Sequence, residues 1–543
     1  MPERVSRVVN GRVWTGDAAR PWAEAVALDG DRIHLVGATA DVRAYKAKGI
    51  EIDAGGGLVV PGFIDSHLHL IAGGFRLTSV QLRDANSRVD LAGRLAAFAR
   101  TLPRGTWITG GDWDHQRWGG ELPSREWIDY ATPEHPVWIS RFDGHMGLAN
   151  TVALYRAGVT AATSDISGGE IVRDRLGAPT GLFRDNATTL ITRAIPDPSP
   201  AHEDAALVAA MRYLVSCGVT SVHHMGSIPP GASWEELAVF QRAHARRALS
   251  VRIYATVPLD SWARLSKQIQ LRSFGGPDGR GDEWLRVGAL KGFVDGSLGS
   301  HTAAFHDPYS DAPGDCGLLV NDVAQLREWM TMADRAGLQL AIHAIGDRAN
   351  TLLLDLFDDV RSRNGSRDRR GRVEHAQHLR PADVPRFREL GVIASMQPSH
   401  AIDDGRWAER VIGVERSQYS YPWKSLLDAG ATIAFGSDWF VAPPTPLEGI
   451  AAAVTRQRIG HADPDGWIPS QRIALSQALL AYTSNGAYAS FEENVKGRIS
   501  PGFLADLVVL DRDLFPNVDE AAATRITATI VGGRLMFPRT IDA

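Results

Sequence analysis

Cysteine is scarce in this sequence: Cys217 and Cys316 are its only two cysteines in 543 residues. So few thiols argue against a disulfide framework and exclude a thiolate-rich metal site. Any metal ion would therefore be held by His, Asp or Glu side chains, or by a less usual ligand.

Long apolar runs and a strong net charge are also missing. No run of about 18 apolar residues suggests a membrane span, and the first residues lack the apolar stretch of a secretory signal. The formal charge is −5, without a basic block, so nothing indicates nucleic acid. We expect a cytoplasmic protein with a small-molecule substrate and no nucleic-acid or membrane partner, for which a homodimer is a possible assembly.

The length of 543 residues is too great for one ordinary compact core. It is sufficient for a (β/α)8 barrel with additions. A composition of 44% hydrophobic and 22% charged residues is typical of globular proteins. Two or three structural units are therefore expected.

The two ends of the chain have the pattern of short strands joined by tight turns. Asn10-Gly11 and Asp29-Gly30 are pairs that tolerate the positive φ of hairpin turns. Strand-like runs return at residues 505–510 and 528–531. We predict that residues 1–60 and 485–543 form one composite β-sandwich; two separate β decorations are the alternative.

Between these ends, short apolar strands alternate with amphipathic helices, as in a parallel α/β sheet. Helices are predicted at residues 322–336 and 381–390. The predicted fold class is α/β, with a (β/α)8 TIM-like barrel over residues 61–484, because an eight-stranded barrel fits this length better than an open sheet does.

Residues 73–185 interrupt the alternation and are rich in Gly, Pro and Trp. We predict an insertion that lies over the barrel mouth. Its tryptophans are Trp107, Trp113, Trp118, Trp127 and Trp138. Because Trp serves both as core filler and as recognition surface, the insertion is either a packed mini-domain or a substrate lid.

The strongest local motif is His67-Leu68-His69 at the end of an apolar strand. Residues two apart in a strand point to the same side, so both imidazoles can reach one ion. Barrel active sites are built at strand ends of this kind. The motif therefore indicates a pair of metal ligands, although a lone His-x-His is weak evidence.

Other candidate ligands recur at predicted strand ends, namely His343, His375 and Asp438. Each has an ordinary alternative, such as a capped core histidine or an N-cap aspartate. Together they supply nitrogen and oxygen ligands from several strands, which suits zinc, manganese or iron.

Lys291 follows another apolar segment and raises a separate question. An ammonium ion cannot bind a metal, but a neutral amine can take up carbon dioxide. The resulting carbamate is an anionic ligand with two oxygens that can bridge two cations. A structural salt bridge is the alternative.

Six segments, in this order, look like the amidohydrolase superfamily. More closely they resemble its family-3 (YtcJ-like) branch, which includes N-substituted formamide deformylase, and the resemblance covers nearly the whole chain. The segments are PGFIDSHLH (61–69), KGFVDGS (291–297), IHAIGD (342–347), VEHAQ (373–377), FGSD (435–438) and GRISPGFLADL (497–507).

The resemblance implies a site with one or two divalent ions, with zinc expected. It implies that His67 and His69 bind the first metal, while His343 and His375 bind the second. It further implies that Lys291 is carboxylated and bridging. Asp438 would contact the first metal and handle the proton.

Substrate-side motifs of the branch are also recognisable. They are Asp112-Trp113, the segment 143–145 with His145, and Trp439. His400 follows the predicted seventh strand, where it is either a substrate contact or part of local packing.

The mechanism that follows is a hypothesis. Water on a divalent ion has its pKa lowered to about 7 and becomes a nucleophile. Asp438 would accept its proton and deliver it to the departing nitrogen. The second cation, or His145, would stabilise the oxyanion, an effect worth about 3 kcal/mol.

We therefore predict a metal-dependent hydrolase that cleaves an amide or formamide bond of an apolar N-substituted compound. A deaminase or cyclic-amide hydrolase on the same scaffold is the near alternative, because a scaffold does not determine its chemistry. A non-catalytic metal-binding regulatory protein is the alternative from another class, and the complete set of candidate ligands speaks against it.

Overall fold

The computed structural model describes residues 2–46, 48–141, 146–166, 169–227, 233–299, 301–460 and 465–538. These residues form two compact units. The first comprises residues 1–70 and 211–543, and the second comprises residues 71–210. Among the helices of the described ranges, none is both long and apolar enough to span a membrane.

Eight parallel strands, β1 to β8, form the central sheet of the first unit and pair in chain order. Most of their residues are buried on both faces, which explains their nearly continuous apolar runs. The strands are Phe63–Leu68 (β1), Val219–His224 (β2), Arg252–Pro258 (β3), Leu285–Phe293 (β4), Gln339–Ala344 (β5), Arg372–His375 (β6), Ile393–Met396 (β7) and Ile433–Phe435 (β8).

Backbone hydrogen bonds join the end of β1 to the segment that follows β8. The amide of Asp438 donates to the carbonyl of His67 at 2.7 Å, and the amide of His69 donates to the carbonyl of Trp439 at 2.6 Å. The sheet is thereby a nearly closed barrel, and the predicted α/β barrel class is confirmed. Candidate ligands lie at the seam where the first and last strands meet.

The predicted helix at 322–336 forms as Val323–Arg335. The side chain of Asp322 caps it by accepting from the amide of Gln325 at 2.9 Å, and Leu326, Met330 and Ala333 give it a buried apolar face. The predicted helix at 381–390 forms as Val384–Leu390.

The first unit contains further helices. They are Thr39–Ala44, Ser233–Ala245, Trp262–Gln270, Asp347–Asn364, Pro398–Asp404, Ala408–Ile412, Val414–Ser417, Trp423–Asp428, Pro446–Thr455, Leu475–Ala481 and Ser484–Ala489. Leu70–Thr78 and Pro200–Ser216 contain the junctions between the two units.

Strands from both ends of the chain share a sheet in the first unit. Leu507–Leu510 pairs antiparallel with Leu58–Pro61. The full order of this sheet is Arg534–Phe537, Ile526–Val531, Leu507–Leu510, Leu58–Pro61, Arg12–Trp14, Trp22–Ala23. A second sheet has the order Arg32–Gly37, Ala25–Asp29, Val5–Val9, Ile50–Asp53. The predicted domain bounds 1–60, 485–543 and 61–484 stay predictions.

The second unit has its own six-stranded sheet. It contains the whole of the predicted insertion 73–185 and continues to residue 210. Trp113, Trp127 and Trp138 are buried in its hydrophobic clusters, as the packed mini-domain alternative expects. The sheet order is Gly169–Arg173, Pro179–Asp185, Met146–Ala149, Val137–Arg141, Ile108–Trp113, Val80–Gln81, and the helices are Arg88–Ala99, Thr151–Ala157 and Thr189–Thr192.

Candidate metal centre

His67, His69 and Asp438 converge at the C-terminal end of the barrel. Asp438 Oδ1 lies 3.5 Å from His67 Nε2 and 3.1 Å from His69 Nε2. The three ligand atoms lie within 4.8 Å of one another, and all three residues are buried. Residues far apart in the sequence therefore reach one common centre.

A tight backbone approach brings Asp438 to this centre. Strand β8 ends at Phe435, and a Cβ at Gly436 would lie only 2.4 Å from the amide nitrogen of His67. Asp438 itself has a φ of 57°. Burial would raise the pKa of its carboxyl, but the adjacent imidazoles of His69, His67 and His375 hold that pKa well below the usual range.

Asp65 ties the two edges of the barrel together behind this centre. Its carboxylate accepts from Ser437 N at 3.0 Å, from Ser437 Oγ at 2.6 Å and from His67 N at 3.2 Å. Burial raises the pKa of Asp65 to about 7. The sequence prediction assigned no role to this residue.

A second group of candidate ligands shares Asp438. His375, His400 and Asp438 also bring their ligand atoms within 4.8 Å of one another. His400 Nε2 lies 3.8 Å from Asp438 Oδ2, and the His375 and His400 rings are stacked with centroids 6.2 Å apart. His400, for which the sequence predicts either a substrate contact or a role in local packing, therefore lies beside the predicted ligands.

His343 and Lys291 belong to the same end of the barrel but to neither group. The His343 ring centroid lies 4.5 Å from that of His375, and His343 Nε2 is 2.9 Å from the carbonyl of Gly296. Lys291 is buried on β4, with Nζ 5.1 Å from the centroid of the Phe293 ring. Burial lowers the pKa of Lys291 to about 8, so a neutral amine is accessible near neutral pH.

Hydrogen bonds fix which nitrogen of each imidazole is free to bind a metal. His67, His69 and His375 each direct Nδ1 at an oxygen, so Nδ1 carries the proton and Nε2 keeps its lone pair. The acceptors are Glu374 Oε2 at 2.6 Å, Gly226 O at 2.6 Å and Gln397 Oε1 at 2.8 Å, respectively.

This pattern fits a divalent metal. Metal-binding histidines ordinarily donate the other ring N–H to a carboxylate or carbonyl. His67 Nε2 is buried and has no hydrogen-bond partner in the described structure. Burial lowers the pKa of His67 to about 4, which keeps the ring neutral and able to bind. A set of neutral imidazoles with one carboxylate suits zinc.

Glu374 and Arg372 form a buried ion pair behind His67. Arg372 Nε lies 2.6 Å from Glu374 Oε1, and neither side chain is exposed. Although burial alone would raise the pKa of Glu374, the Arg372 charge and the His67 hydrogen bond hold it well below its usual range. Arg372 also donates to Ser66 O at 2.6 Å and to His223 Nδ1 at 2.8 Å. His223 is therefore part of the hydrogen-bond network behind His67.

No role was predicted for either member of this pair from the sequence, although Glu374 lies in the segment VEHAQ (373–377). The available signal was two charged residues at alternating positions, 372 and 374, in a short strand that is otherwise buried. In a parallel barrel strand, alternating charges face the interior together and need partners there.

The predicted substrate residues lie in different parts of the structure. Trp439 is buried, with its ring centroid 5.6 Å from that of Tyr213. In the second unit, Trp113 is buried and its indole donates to Ile139 O at 2.9 Å, while Asp112 pairs with Arg76. His145 and its segment lie outside the described residues. The substrate roles of Asp112, Trp113, Trp439 and His400, and the catalytic role of His145, stay predictions.

A nearly closed parallel barrel with imidazoles and a carboxylate gathered at its C-terminal end defines the class of barrel metal-dependent hydrolases. The model of the amidohydrolase family matches residues 51–537. The chain therefore belongs to the amidohydrolase family, as the sequence motifs predicted.

Individual relatives are similar over nearly the whole chain. Protein LONG AFTER FAR-RED 3 of Arabidopsis thaliana is 40% identical over 539 residues, which cover 98% of this chain and 91% of that protein. N-substituted formamide deformylase of Arthrobacter pascens is 30% identical over 550 residues, 98% of each chain.

Among solved structures, an uncharacterized metal-dependent hydrolase from Pyrococcus furiosus superposes with a TM-score of 0.76 at 28% identity. The match covers 93% of this chain and 99% of that one. The predicted enzyme class, a metal-dependent hydrolase acting on carbon–nitrogen bonds other than peptide bonds, is confirmed.

Proposed function

We propose that this amidohydrolase cleaves the amide or formamide bond of a small, apolar N-substituted substrate and that its metal is zinc. The observation that supports the metal site is the convergence of His67, His69 and Asp438 within 4.8 Å. The relative named for deformylation of N-substituted formamides, similar over 98% of this chain, supports the choice of substrate class.

His67, His69 and Asp438 would hold one ion, and His343 and His375 would hold the second where two are bound. A bound divalent cation supplies Lewis acidity, which lowers the pKa of water to about 7 and polarises a carbonyl. The Nδ1 atoms of His67, His69 and His375 each contact an oxygen, which leaves Nε2 of each ring for the metal and is consistent with this set.

Asp438 is the residue proposed to move the proton. Its carboxylate is buried, with Oδ1 3.5 Å from His67 Nε2 and 3.1 Å from His69 Nε2, a position from which it would accept a proton from the attacking water. It would return that proton to the departing nitrogen, because an amine leaves poorly without one. Because Asp438 has two carboxylate oxygens, one could contact the metal ion while the other holds the proton.

His400 is proposed to contact the substrate. Its Nε2 is buried without a hydrogen-bond partner among the described residues and lies 3.8 Å from Asp438 Oδ2. A donor at this position can stabilise negative charge on the substrate carbonyl oxygen, an effect typically worth about 3 kcal/mol.

Lys291 is proposed to be carboxylated. The neutral amine attacks carbon dioxide, a C–N bond forms, and one proton leaves to solvent, so the product is a carbamate anion. The burial of Lys291 and its pKa of about 8 support this step, because burial favours the neutral amine.

The test is a substrate panel with the purified protein: N-benzylformamide, an N-acyl amino acid, a cyclic imide and an aminopurine. Formate and benzylamine released from the first, and loss of this activity on chelation with recovery on adding zinc, are expected. Ammonia released from the aminopurine, or ring opening of the imide, would indicate the alternative chemistries instead. A protein that binds zinc but turns over none of the four would contradict the proposal.

We further propose that the enzyme acts in the cytoplasm on a small molecule, without nucleic acid or membrane partners. The modest formal charge of −5 supports the absence of a nucleic-acid partner. The proposed assembly is a homodimer, and light scattering on the purified protein measures the oligomeric state.

A further inference from the structure

A large cavity lies at the end of the barrel opposite to the metal centre. Its volume is about 610 Å³, and its walls include Arg247, just before β3, and Trp284, just before β4. The N-terminal ends of the barrel strands therefore border this cavity, whereas the candidate metal ligands lie at their C-terminal ends.

Three arginines from distant parts of the chain line this cavity: Arg4, Arg247 and Arg534. Arg4 and Arg534 lie directly opposite each other in an isolated antiparallel bridge. Like charges directly opposite across strands destabilise a sheet. An anion between the guanidinium groups would remove that repulsion.

None of these three arginines has an ion pair with a carboxylate among the residues that the structure describes. Arg4 and Arg247 are exposed, and Arg534 is half-buried. The cavity therefore opens to solvent and holds three guanidinium groups whose hydrogen-bond donors are available to a ligand. Guanidinium groups bind phosphate and carboxylate with two parallel hydrogen bonds.

Two carboxylates also line the cavity, but neither neutralises these cations. Asp282 accepts from Trp284 N at 2.8 Å, from Leu285 N at 3.1 Å and from His244 Nε2 at 2.9 Å. Asp31 lies 3.8 Å from Arg32 Nε. Arg32 itself pairs with Glu283 at 2.5 Å. The lining thus carries three guanidinium groups against two carboxylates, an excess of positive charge in a protein that is negative overall.

The rest of the lining is apolar enough to hold a carbon skeleton. Leu249, Met536 and the indole of Trp284 contribute to the walls. A cavity of this volume is in the range of small-molecule sites, about 300 to 1,000 Å³, and is larger than an inorganic phosphate needs. The ligand should therefore combine an anionic group with an apolar body.

We propose that this cavity binds an organic phosphate, with its phosphate held by Arg4, Arg247 and Arg534 and its carbon body against Trp284 and Met536. A dianionic tetrahedral group can accept hydrogen bonds from three guanidinium groups at once, whereas a single carboxylate satisfies fewer. This site is independent of the hydrolytic reaction proposed above.

The test is calorimetric titration of the full-length protein with phenyl phosphate, inorganic phosphate and benzyl alcohol. Phenyl phosphate should bind more tightly than inorganic phosphate, and benzyl alcohol should not bind. The triple variant R4Q/R247Q/R534Q should lose at least about tenfold in affinity for phenyl phosphate, because each charge-assisted hydrogen bond is worth about 1.5 kcal/mol or more.

The matched control is R100Q/R156Q/R175Q, which removes three exposed arginines from the second unit and changes the net charge equally. It should keep the wild-type affinity. If the triple variant fails to fold, as judged by circular dichroism, the single exposed change R247Q should still weaken binding by about tenfold. Wild-type affinity in either cavity variant, or equal binding of benzyl alcohol and phenyl phosphate, would overturn the proposal.

Discussion

His67 Nδ1 and Glu374 Oε2 lie 2.6 Å apart, with both side chains completely buried. The Glu374 carboxylate keeps the proton on His67 Nδ1. The lone pair of His67 therefore lies on Nε2, which faces Asp438. Arg372 compensates the charge of Glu374. A candidate metal ligand on one strand is thus oriented by an ion pair on another strand, which no local sequence pattern describes.

Replacing Glu374 by Gln tests this relationship. The amide cannot carry the negative charge that polarises His67, so we expect a loss of about 10- to 100-fold in metal affinity. Metal content after dialysis against a competing chelator measures it. Glu493→Gln is the control, because Glu493 pairs with Arg370 away from this centre, and it should keep full metal affinity. Equal affinities in both variants would refute the orienting role of Glu374.

Replacing His67 or His69 by Asn should remove most of the bound metal and the hydrolytic activity. Each change removes one candidate metal-binding nitrogen from the group of His67, His69 and Asp438, whose ligand atoms lie within 4.8 Å of one another. Plasma emission analysis of the purified variants measures the metal stoichiometry. His34→Asn, an exposed position stacked on Tyr45, should retain both. Full metal content in His67→Asn would be incompatible with this ligand set.

Labelled bicarbonate tests the carboxylation of Lys291. The wild-type protein reconstituted in ¹³C-bicarbonate should give a carbamate carbon resonance, because the buried amine is neutral enough to react. Lys291→Gln should lack the resonance and should bind less metal. A small added carboxylate should restore part of the lost activity. An identical spectrum for the variant and the wild type would rule out Lys291 as the modified residue.

Tyr421 connects the helix Pro398–Asp404, which carries His400, to the segment that follows His375. Its hydroxyl donates to Asp404 at 2.5 Å, and its amide donates to Gln377 O at 2.6 Å. Tyr421→Phe removes the hydroxyl and leaves the buried Asp404 carboxyl without its donor, so we expect a loss of about 1 to 3 kcal/mol in stability.

The same Tyr421→Phe change should lower kcat more than it raises KM. The reason is that it loosens the segments that position His375 and His400, whereas no substrate contact is lost. Thermal unfolding and steady-state kinetics measure the two effects. Tyr130→Phe, at a side chain that is 66% exposed, should change neither. A rise in KM alone would point to a substrate contact and contradict the positioning role.

Asp404 should make stability depend on pH. Burial raises its pKa to about 7 in the folded state, whereas an unfolded Asp titrates near about 4. Between these values the native state binds more protons, so this contribution to stability falls as pH rises from about 4 to about 7.

Asp404→Asn cannot ionise, so the variant should gain stability relative to the wild type between pH 5 and pH 8. The limit is on the order of 4 kcal/mol. Parallel thermal unfolding at the two pH values measures the difference. A difference in unfolding temperature that is the same at both pH values would show that Asp404 does not titrate in this range.

Features that depend only on the spacing of neighbouring residues were predictable from the sequence. His67-Leu68-His69 needs only the alternation of a strand, and the helix Val323–Arg335 follows from Asp322 as its cap and from its apolar period. The family assignment followed from six ordered segments, and with it the barrel. The left-handed backbone of Asp438 and the approach of Gly436 to His67 were not predictable, because they arise only where β1 meets the end of β8.

The amino-acid sequence by itself determined the ligand types, the strand ends on which they lie and the alternation that makes a parallel barrel, since each of these is a property of neighbouring residues. Only the tertiary structure decided that Glu374 and Arg372 stand behind His67, that His400 joins Asp438, and that Arg4, Arg247 and Arg534 face one cavity. Such contacts depend on the distance between segments that are hundreds of residues apart, and the closure of the barrel is what sets that distance.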